Sequence, residues 1–111
     1  MKAGDVALAP LPQADGQIKG RPVPLLKAMP PFEDWLVCGI SSQLHHQVTG
    51  FDEVIGPEDA DYSASGLKTA SLVRLGFLAV LPPRQLLGCI GSVDRQRLGR
   101  LLNNLSQHLL V

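Results

Sequence analysis

The chain has 111 residues, enough for one domain with one modest hydrophobic core. Hydrophobic residues make up 45% of it and aromatic residues only 5%, so we expect a core of aliphatic side chains. Ten basic and ten acidic residues give a formal net charge of zero. This balance excludes a global positive field that steers the protein to nucleic acid, so RNA binding would require a local basic patch.

The first strand is predicted over Val6 to Ala9 and is expected to end at Pro10 and Pro12. Further apolar runs, separated by Pro and Gly, predict strands over residues 21–27, 35–41, 50–55, 71–81 and 85–90. The strand over residues 21–27 contains Pro24, which cannot donate to a ladder, so we expect an edge position or a bulge there.

Two predicted loops separate these strands. Residues 10–20 form the first loop, with a tight turn at Asp15-Gly16. Residues 56–66 form the second loop, which is acidic and polar. Half of the acidic residues lie in or beside it, and we expect them to be solvated; the alternative is a rim that repels RNA or mimics its charge: Asp52, Glu53, Glu58, Asp59 and Asp61.

The end of the chain predicts a helix over about residues 93–110. Ser92 is a suitable cap, and Asp94 in the first turn suits the positive end of the helix dipole. The apolar stripe of this helix recurs at three- and four-residue spacing: Leu98, Leu101, Leu102, Leu105 and Leu109. Arg95, Arg97 and Arg100 lie off the stripe. The fold class is therefore mainly β, a single domain over residues 1–111 in which antiparallel strands form a small barrel and a C-terminal helix packs on it.

Cys38 and Cys89 each lie in an apolar run, and we expect both to be small buried thiols in a reducing compartment. No apolar run is long enough to cross a membrane, and no basic start precedes an apolar stretch. The sequence therefore predicts a cytoplasmic protein without a membrane segment.

The segment Lys19-Gly20-Arg21-Pro22-Val23 is the first candidate site. Pro22 biases Arg21 towards extended geometry at the start of a strand. A guanidinium held there is suited to gripping an oxyanion with two hydrogen bonds. The simpler alternative is a loop arginine paired with a surface carboxylate.

An ordered set of segments extends this observation along nearly the whole chain. In order they are Gly4-Asp5-Val6, Ala14-Asp15-Gly16, Lys19-Gly20-Arg21-Pro22-Val23, Gly39-Ile40-Ser41-Ser42-Gln43, Ser71-Leu72-Val73-Arg74-Leu75 and Gly91-Ser92-Val93-Asp94. The succession resembles the MazF/PemK family of toxin endoribonucleases. The resemblance implies an SH3-like barrel of the CcdB/MazF/PemK type and a homodimer. It further implies the toxin of a type II toxin–antitoxin pair, neutralised by a cognate antitoxin, that cleaves single-stranded RNA without a metal or other cofactor.

The same resemblance assigns catalytic roles to Arg21 and Ser41. The RNA's own 2′-hydroxyl is the attacking group, so the protein supplies geometry and positive charge. Arginine stays protonated in proteins, so Arg21 is expected to stabilise the transition state and the general base is left open. Ser41 is expected to donate a hydrogen bond to a non-bridging oxygen, with Ser42 as its neighbour if the register slips by one.

Two departures from the family pattern affect the expected activity. Many members carry a glutamate in the loop before the arginine, where this chain has Gln17, which cannot take a proton. The family threonine is Ser41 here, which keeps the hydroxyl but loses the β-branch. Lys19 and Gln43 are further candidate RNA contacts. Arg74 either joins the phosphate-binding patch or pairs with the acidic loop.

Histidines and aromatic residues complete the candidates. His45 and His46 follow the third strand and would point to opposite faces of an extended chain, so we expect no metal site there. His45 is a possible acid–base or RNA contact, and a solvated loop is the simpler interpretation. Phe32 and Trp35 offer stacking faces for bases, although Trp35 suits the core or a dimer interface better.

Three function classes stay open at this point. The first is an endoribonuclease toxin. The second is a weak or inactive relative that serves as a binding module for nucleic acid or protein, which the glutamine at position 17 and the neutral charge favour. The third is a toxin that acts by binding a protein target, as the related gyrase-poisoning toxins do.

Overall fold

The computed structural model describes residues 1–12 and 16–111, and it contains six antiparallel strands curled into a half-barrel, followed by a C-terminal helix. The strands are β1 (Asp5–Pro12), β2 (Ile18–Met29), β3 (Asp34–Ser41), β4 (Glu53–Ile55), β5 (Ser71–Leu81) and β6 (Cys89–Ser92). Their order in the sheet is β4-β5-β3-β2-β1-β6. The helices are the single turn α1 (Tyr62–Ser65) and the long α2 (Arg95–Leu109), and short 3-10 turns cover Leu44–His46 and Pro83–Gln85.

The predicted fold class is confirmed, and the main differences lie at strand ends. β1 does not end at Pro10, because Pro10 and Pro12 pair with Gly20 and Ile18 of β2. β6 pairs with β1 only over Asp5 to Ala7. Among the described residues, no strand pairs with that side of β1 at Pro10 and Pro12, so their lack of an N–H breaks no ladder there. The predicted turn at Asp15-Gly16 falls partly outside the described residues, which resume at Gly16.

The last strand and the fourth strand also differ from expectation. Residues 83–85 form a 3-10 turn, with Pro83 at its start, so the final strand begins only at Cys89 and not at Gln85. β4 is limited to Glu53–Ile55 because only these residues pair with β5. The predicted bounds of β3 and β5 are confirmed to within one residue.

β2 changes partners halfway along its length, and this creates a gap in the sheet. Its residues from Leu25 onwards pair with β3, whereas Ile18 to Pro24 pair with β1 alone. The Leu25 carbonyl accepts from the Gly4 amide at 2.7 Å, so the alternate positions 22 and 24 face β3. Both are prolines and offer β3 no N–H there. Pro24 therefore does not lie on an edge strand. It lies beside the register shift at Leu25, and its nitrogen, which has no hydrogen to donate, faces β3.

The core consists of two clusters of aliphatic side chains. The larger lies under α2 and contains Leu26, Ile55, Leu75, Leu101 and Leu105, while the smaller is centred on Val23, Leu25 and Val37. Cys38 belongs to the larger cluster, where burial and then the charge of Asp52 raise the pKa of its thiol to about 12. Cys89 is exposed, so the expectation of two buried thiols is wrong for it, because β6 is an edge strand.

Helix α2 confirms the predicted leucine stripe, with two corrections. Asp94, not Ser92, is the cap: its carboxylate accepts from the Arg97 amide at 2.7 Å. Leu109 is exposed, so the buried stripe ends at Leu105.

The acidic segment is mostly not solvated, so the prediction is wrong for its acids except Glu58, which is exposed. Arg97 of α2 is buried and bonds both carboxylate oxygens of Asp61, at 2.8 and 3.1 Å. Its guanidinium also lies 2.9 Å from Glu53 and 3.6 Å from Asp59, and Glu53 binds Arg100 at 2.8 Å. We call these five residues the Arg97 cluster. It ties β4 and the segment before α1 to the helix, because a buried arginine requires carboxylates around it.

Candidate functional site

A cleft of about 400 Å³ opens where β2 and β3 part. The pairing of these strands stops at Leu25 and Val37, after which β2 follows β1 and β3 follows β5. The gap is lined by side chains from β2, from the end of β3 and from β5: Arg21, Pro22, Gly39, Ile40, Ser41, Ser42, Gln43, Arg74 and Phe77. The strand pairing therefore brings the start of β2 near the end of β3.

Two arginines give the cleft its charge. Arg21 and Arg74 are both exposed, and no carboxylate of the described residues lies within 4.0 Å of either guanidinium. The described lining contains no Asp or Glu. Arg74 thus joins the candidate patch instead of pairing with the acidic segment, whose carboxylates bind Arg97 and Arg100. Two guanidiniums without a counter-charge favour binding of an anion.

Ser41 presents its hydroxyl at the end of β3. Its Oγ accepts from the Gln43 amide at 3.0 Å, which fixes the turn after the strand. A hydroxyl that accepts this bond still has its own O–H to donate, and that donor has no partner among the described residues. Ser42 is exposed and follows directly. The geometry leaves two serine hydroxyls beside two guanidiniums.

Three predicted site residues do not line the cleft. Lys19 lies on β2 two positions before Arg21, so the two side chains are on the same face of the strand. Gln17 lies just before β2. His45 is in a 3-10 turn, where its ring contacts that of His46 at 4.3 Å, so the expectation that the two point to opposite faces is wrong.

Asp52 anchors both β5 and the loop after β3 from behind. It is buried, and its carboxylate accepts from the Val48 amide at 2.9 Å and the Leu75 amide at 3.1 Å. The Leu75 amide needs this partner because the register of β3 on β5 jumps from Cys38 to Gly39, leaving residues 75–77 of β5 unpaired with β3. The carboxylate therefore stabilises a three-residue bulge next to Arg74.

The bulge places Phe77 in the cleft, a residue that the sequence reasoning did not select. Its ring lies against Gly39 so closely that a Cβ on Gly39 would meet three Phe77 atoms at 3.1 to 3.3 Å. The signal available in the sequence was Gly76, which interrupts an otherwise continuous apolar run and is where the bulge forms. A glycine within a strand often marks such a bulge.

Phe32 and Trp35, the aromatic residues considered for base stacking, lie elsewhere. Phe32 is exposed in the turn between β2 and β3, and Trp35 packs half-buried against the smaller core cluster. Both line a separate cavity with the start of the chain. Trp35 is the second residue of β3 and Ser41 is the last, so the two places are about 20 Å apart along the strand.

Within residues 1–12 and 16–111, no group of three or more His, Cys, Asp or Glu side chains is arranged to hold a metal ion. In the same ranges, no helix combines the length and the apolar character needed to cross a membrane. Neither the models of protein families nor the curated proteins contain a match to this chain. The features that bear on function are therefore the cleft and the sequence resemblance to the MazF/PemK toxins.

Proposed function

We propose that the protein is an endoribonuclease that cleaves single-stranded RNA in the cleft between β2 and β3, without a metal. One observation carries the proposal: Arg21, Arg74 and the Ser41 and Ser42 hydroxyls line one open cleft whose described lining contains no carboxylate. Such a site favours a phosphodiester. The resemblance of the sequence to the MazF/PemK toxins supports the same activity.

The chemistry that such a site supports is attack of the RNA 2′-hydroxyl on the adjacent phosphate. The attacking oxygen belongs to the substrate, so no protein nucleophile is required. Arg21 stabilises the negative charge that develops on the non-bridging oxygens, and Ser41 donates a hydrogen bond to one of them. The described lining contains no His, Asp, Glu, Cys or Lys, so charge stabilisation and positioning are its contributions to the rate.

The neutral charge of the chain is compatible with this proposal because of where the acids lie. Glu53 and Asp61 bind Arg97, Asp52 binds backbone amides, and Asp94 caps α2. These carboxylates are held by internal partners and do not line the cleft. A zero net charge thus coexists with a locally positive site, which is what phosphate contacts require.

The test is incubation of the purified protein with a long single-stranded RNA in excess chelator. Cleavage through the 2′-hydroxyl leaves a 2′,3′-cyclic phosphate on one fragment and a 5′-hydroxyl on the other. The matched control is the same sequence with 2′-O-methyl groups, which is expected to stay intact because its attacking oxygen is blocked. Intact natural RNA, or fragments with 5′-phosphate ends, would contradict the proposal.

A Gln17→Glu variant separates a low-activity enzyme from an inert relative. If the missing loop carboxylate matters, this variant cleaves faster than the wild type under the same conditions. An inert wild type together with an active variant would identify this copy as a binding module that has lost catalysis.

The cognate antitoxin and the homodimer belong to the same proposal. Exposed apolar side chains on β5 outside the cleft, namely Leu78 and Val80, support association with a second copy. Light scattering tests this, and a monomer mass at high micromolar concentration would exclude the homodimer. For the toxin role, production of the wild type in a cell is expected to stop growth, whereas Arg21→Ala is not.

A further inference from the structure

We propose that Phe77 is a base-stacking residue, so that the cleft takes an unpaired nucleobase on the Phe77 ring next to the phosphate held by Arg21 and Arg74. The inference depends on the proposed function, because it names the part of the substrate that the apolar wall of that cleft recognises.

The Phe77 ring is half exposed in the cleft. Phe77 is 48% exposed, although the buried side chains just before it, Leu75 and Val73, are each at most 1% exposed. An aromatic ring left half in water beside two guanidiniums offers an apolar planar face next to a phosphate-binding group. Nucleotides present that combination of chemistry, since every base has a flat face that stacks on an aromatic ring.

The backbone of β5 and the glycine opposite it place the ring in the cleft. The β5 bulge breaks the alternation that would otherwise assign Phe77 to a regular strand face. Gly39, directly against the ring, leaves it room that any other residue would fill. Asp52 satisfies the Leu75 amide inside the bulge, so the distortion does not leave a buried donor unpaired.

The size of the cleft matches a single unpaired nucleotide. Its volume of about 400 Å³ lies at the lower end of small-ligand sites, which suits one nucleotide rather than a duplex. A base that stacks on Phe77 must be unpaired or turned out of its helix. The ring would thus contribute to selection of single-stranded RNA.

The experiment measures binding of two oligomers of about ten nucleotides, one of 2′-O-methyl RNA and one abasic with the same number of phosphates. Both oligomers lack a free 2′-hydroxyl, so the protein cannot cleave them during the measurement. We expect the wild type to bind the base-bearing oligomer about 5- to 100-fold more tightly, the range that one stacked base supplies. Phe77→Leu should bring this ratio close to one, whereas Phe77→Tyr should preserve it.

Two further variants distinguish stacking from a general loss of structure. Gly39→Ala is expected to lower the ratio, because the new Cβ displaces the ring, and Phe77→Leu should add little further loss in that background. Phe32→Leu, at an exposed ring outside the cleft, should leave the ratio unchanged. A ratio near one for the wild type, or an undiminished ratio for Phe77→Leu, would overturn the inference. A Phe77→Leu variant that becomes monomeric but keeps the wild-type ratio would overturn it as well.

Failure of the proposed function gives a different result. If Arg21→Ala weakens binding of both oligomers equally while the wild type shows no preference for bases, phosphate binding stands and the role of Phe77 fails. If the wild type binds neither oligomer, the proposed nucleic-acid function itself fails, and the stacking role with it.

Discussion

Two pairs of arginines in this small domain have opposite surroundings. Arg97 and Arg100 of α2 bind carboxylates at 2.8 to 2.9 Å, and Arg97 is almost fully buried. Arg21 and Arg74 are exposed in the cleft, and the described residues provide no carboxylate for either. The first pair has its counter-charges inside the protein, whereas the second leaves its charge available to a ligand. Equal numbers of acids and bases therefore do not mean that positive charge is unavailable.

The largest expected effect is on stability, from the Arg97 cluster. Arg97→Met removes the cation from the buried carboxylate of Asp61 and from Glu53, and should lower the free energy of unfolding by about 3–5 kcal/mol. Urea denaturation measures this. Arg100→Met is the matched control: its side chain is 52% exposed, so its loss should cost less than about 1 kcal/mol. Equal losses for the two variants would contradict the distinction drawn here.

Asp52 links the buried structure to the cleft, so its replacement should affect both. Asp52→Ala leaves the Leu75 amide without its partner, which should cost about 1–3 kcal/mol. The bulge next to Arg74 would also relax, so RNA cleavage should slow at a temperature where the variant is folded. Asp52→Asn keeps an acceptor oxygen and should lose less of both properties. An alanine variant with wild-type stability would show that the carboxylate does not support the bulge.

Acid should weaken the Arg97 cluster specifically. Burial alone would raise the pKa of Asp61, but hydrogen bonds from Arg97 and the Asp94 amide and the Arg97 charge outweigh it and lower the pKa. A depressed carboxyl pKa stabilises the fold above the unfolded value of about 3.9, and this contribution is lost as pH falls through the folded pKa. The stability difference between wild type and Asp61→Asn should thus be constant above about pH 5 and shrink below about pH 4. A difference that grows on acidification would contradict this assignment.

The smallest expected effect is that of the serines in the cleft. Ser41→Ala should slow RNA cleavage about tenfold, the scale of one neutral hydrogen bond to the transition state. Ser42→Ala should slow cleavage less, because only the Ser41 hydroxyl is held at the end of β3 by a hydrogen bond from the Gln43 amide. Initial rates on one RNA measure both. A larger loss for Ser42→Ala would shift the site by one residue.

Local pattern was sufficient for the elements whose residues decide their own structure. The leucine spacing of α2 and the apolar runs of β3 and β5 predicted these elements because burial of one face is recorded directly in the sequence. Arg21, Ser41, Ser42, Gln43 and Arg74 were also selected from sequence, and the structure places all five on one cleft.

What the sequence did not predict depends on partners far along the chain. The Arg97 cluster joins residues 36 to 47 positions apart, so nothing local indicates that Asp61 and Glu53 are held by a helix. Phe77 lay within an apolar run that read as core, and its place follows from the register of β3 on β5. Register and ion pairing are properties of the assembled sheet, which local pattern does not determine.

The most direct test of the proposed active site is the rate of RNA cleavage by Arg21→Ala relative to the wild type. Arg21 is exposed and outside both core clusters, so the variant should melt near the wild-type temperature. Its cleavage rate should fall by about 10²–10³-fold, the value of one contact to a developing oxyanion. A variant that cleaves as fast as the wild type would show that the cleft between β2 and β3 is not the active site.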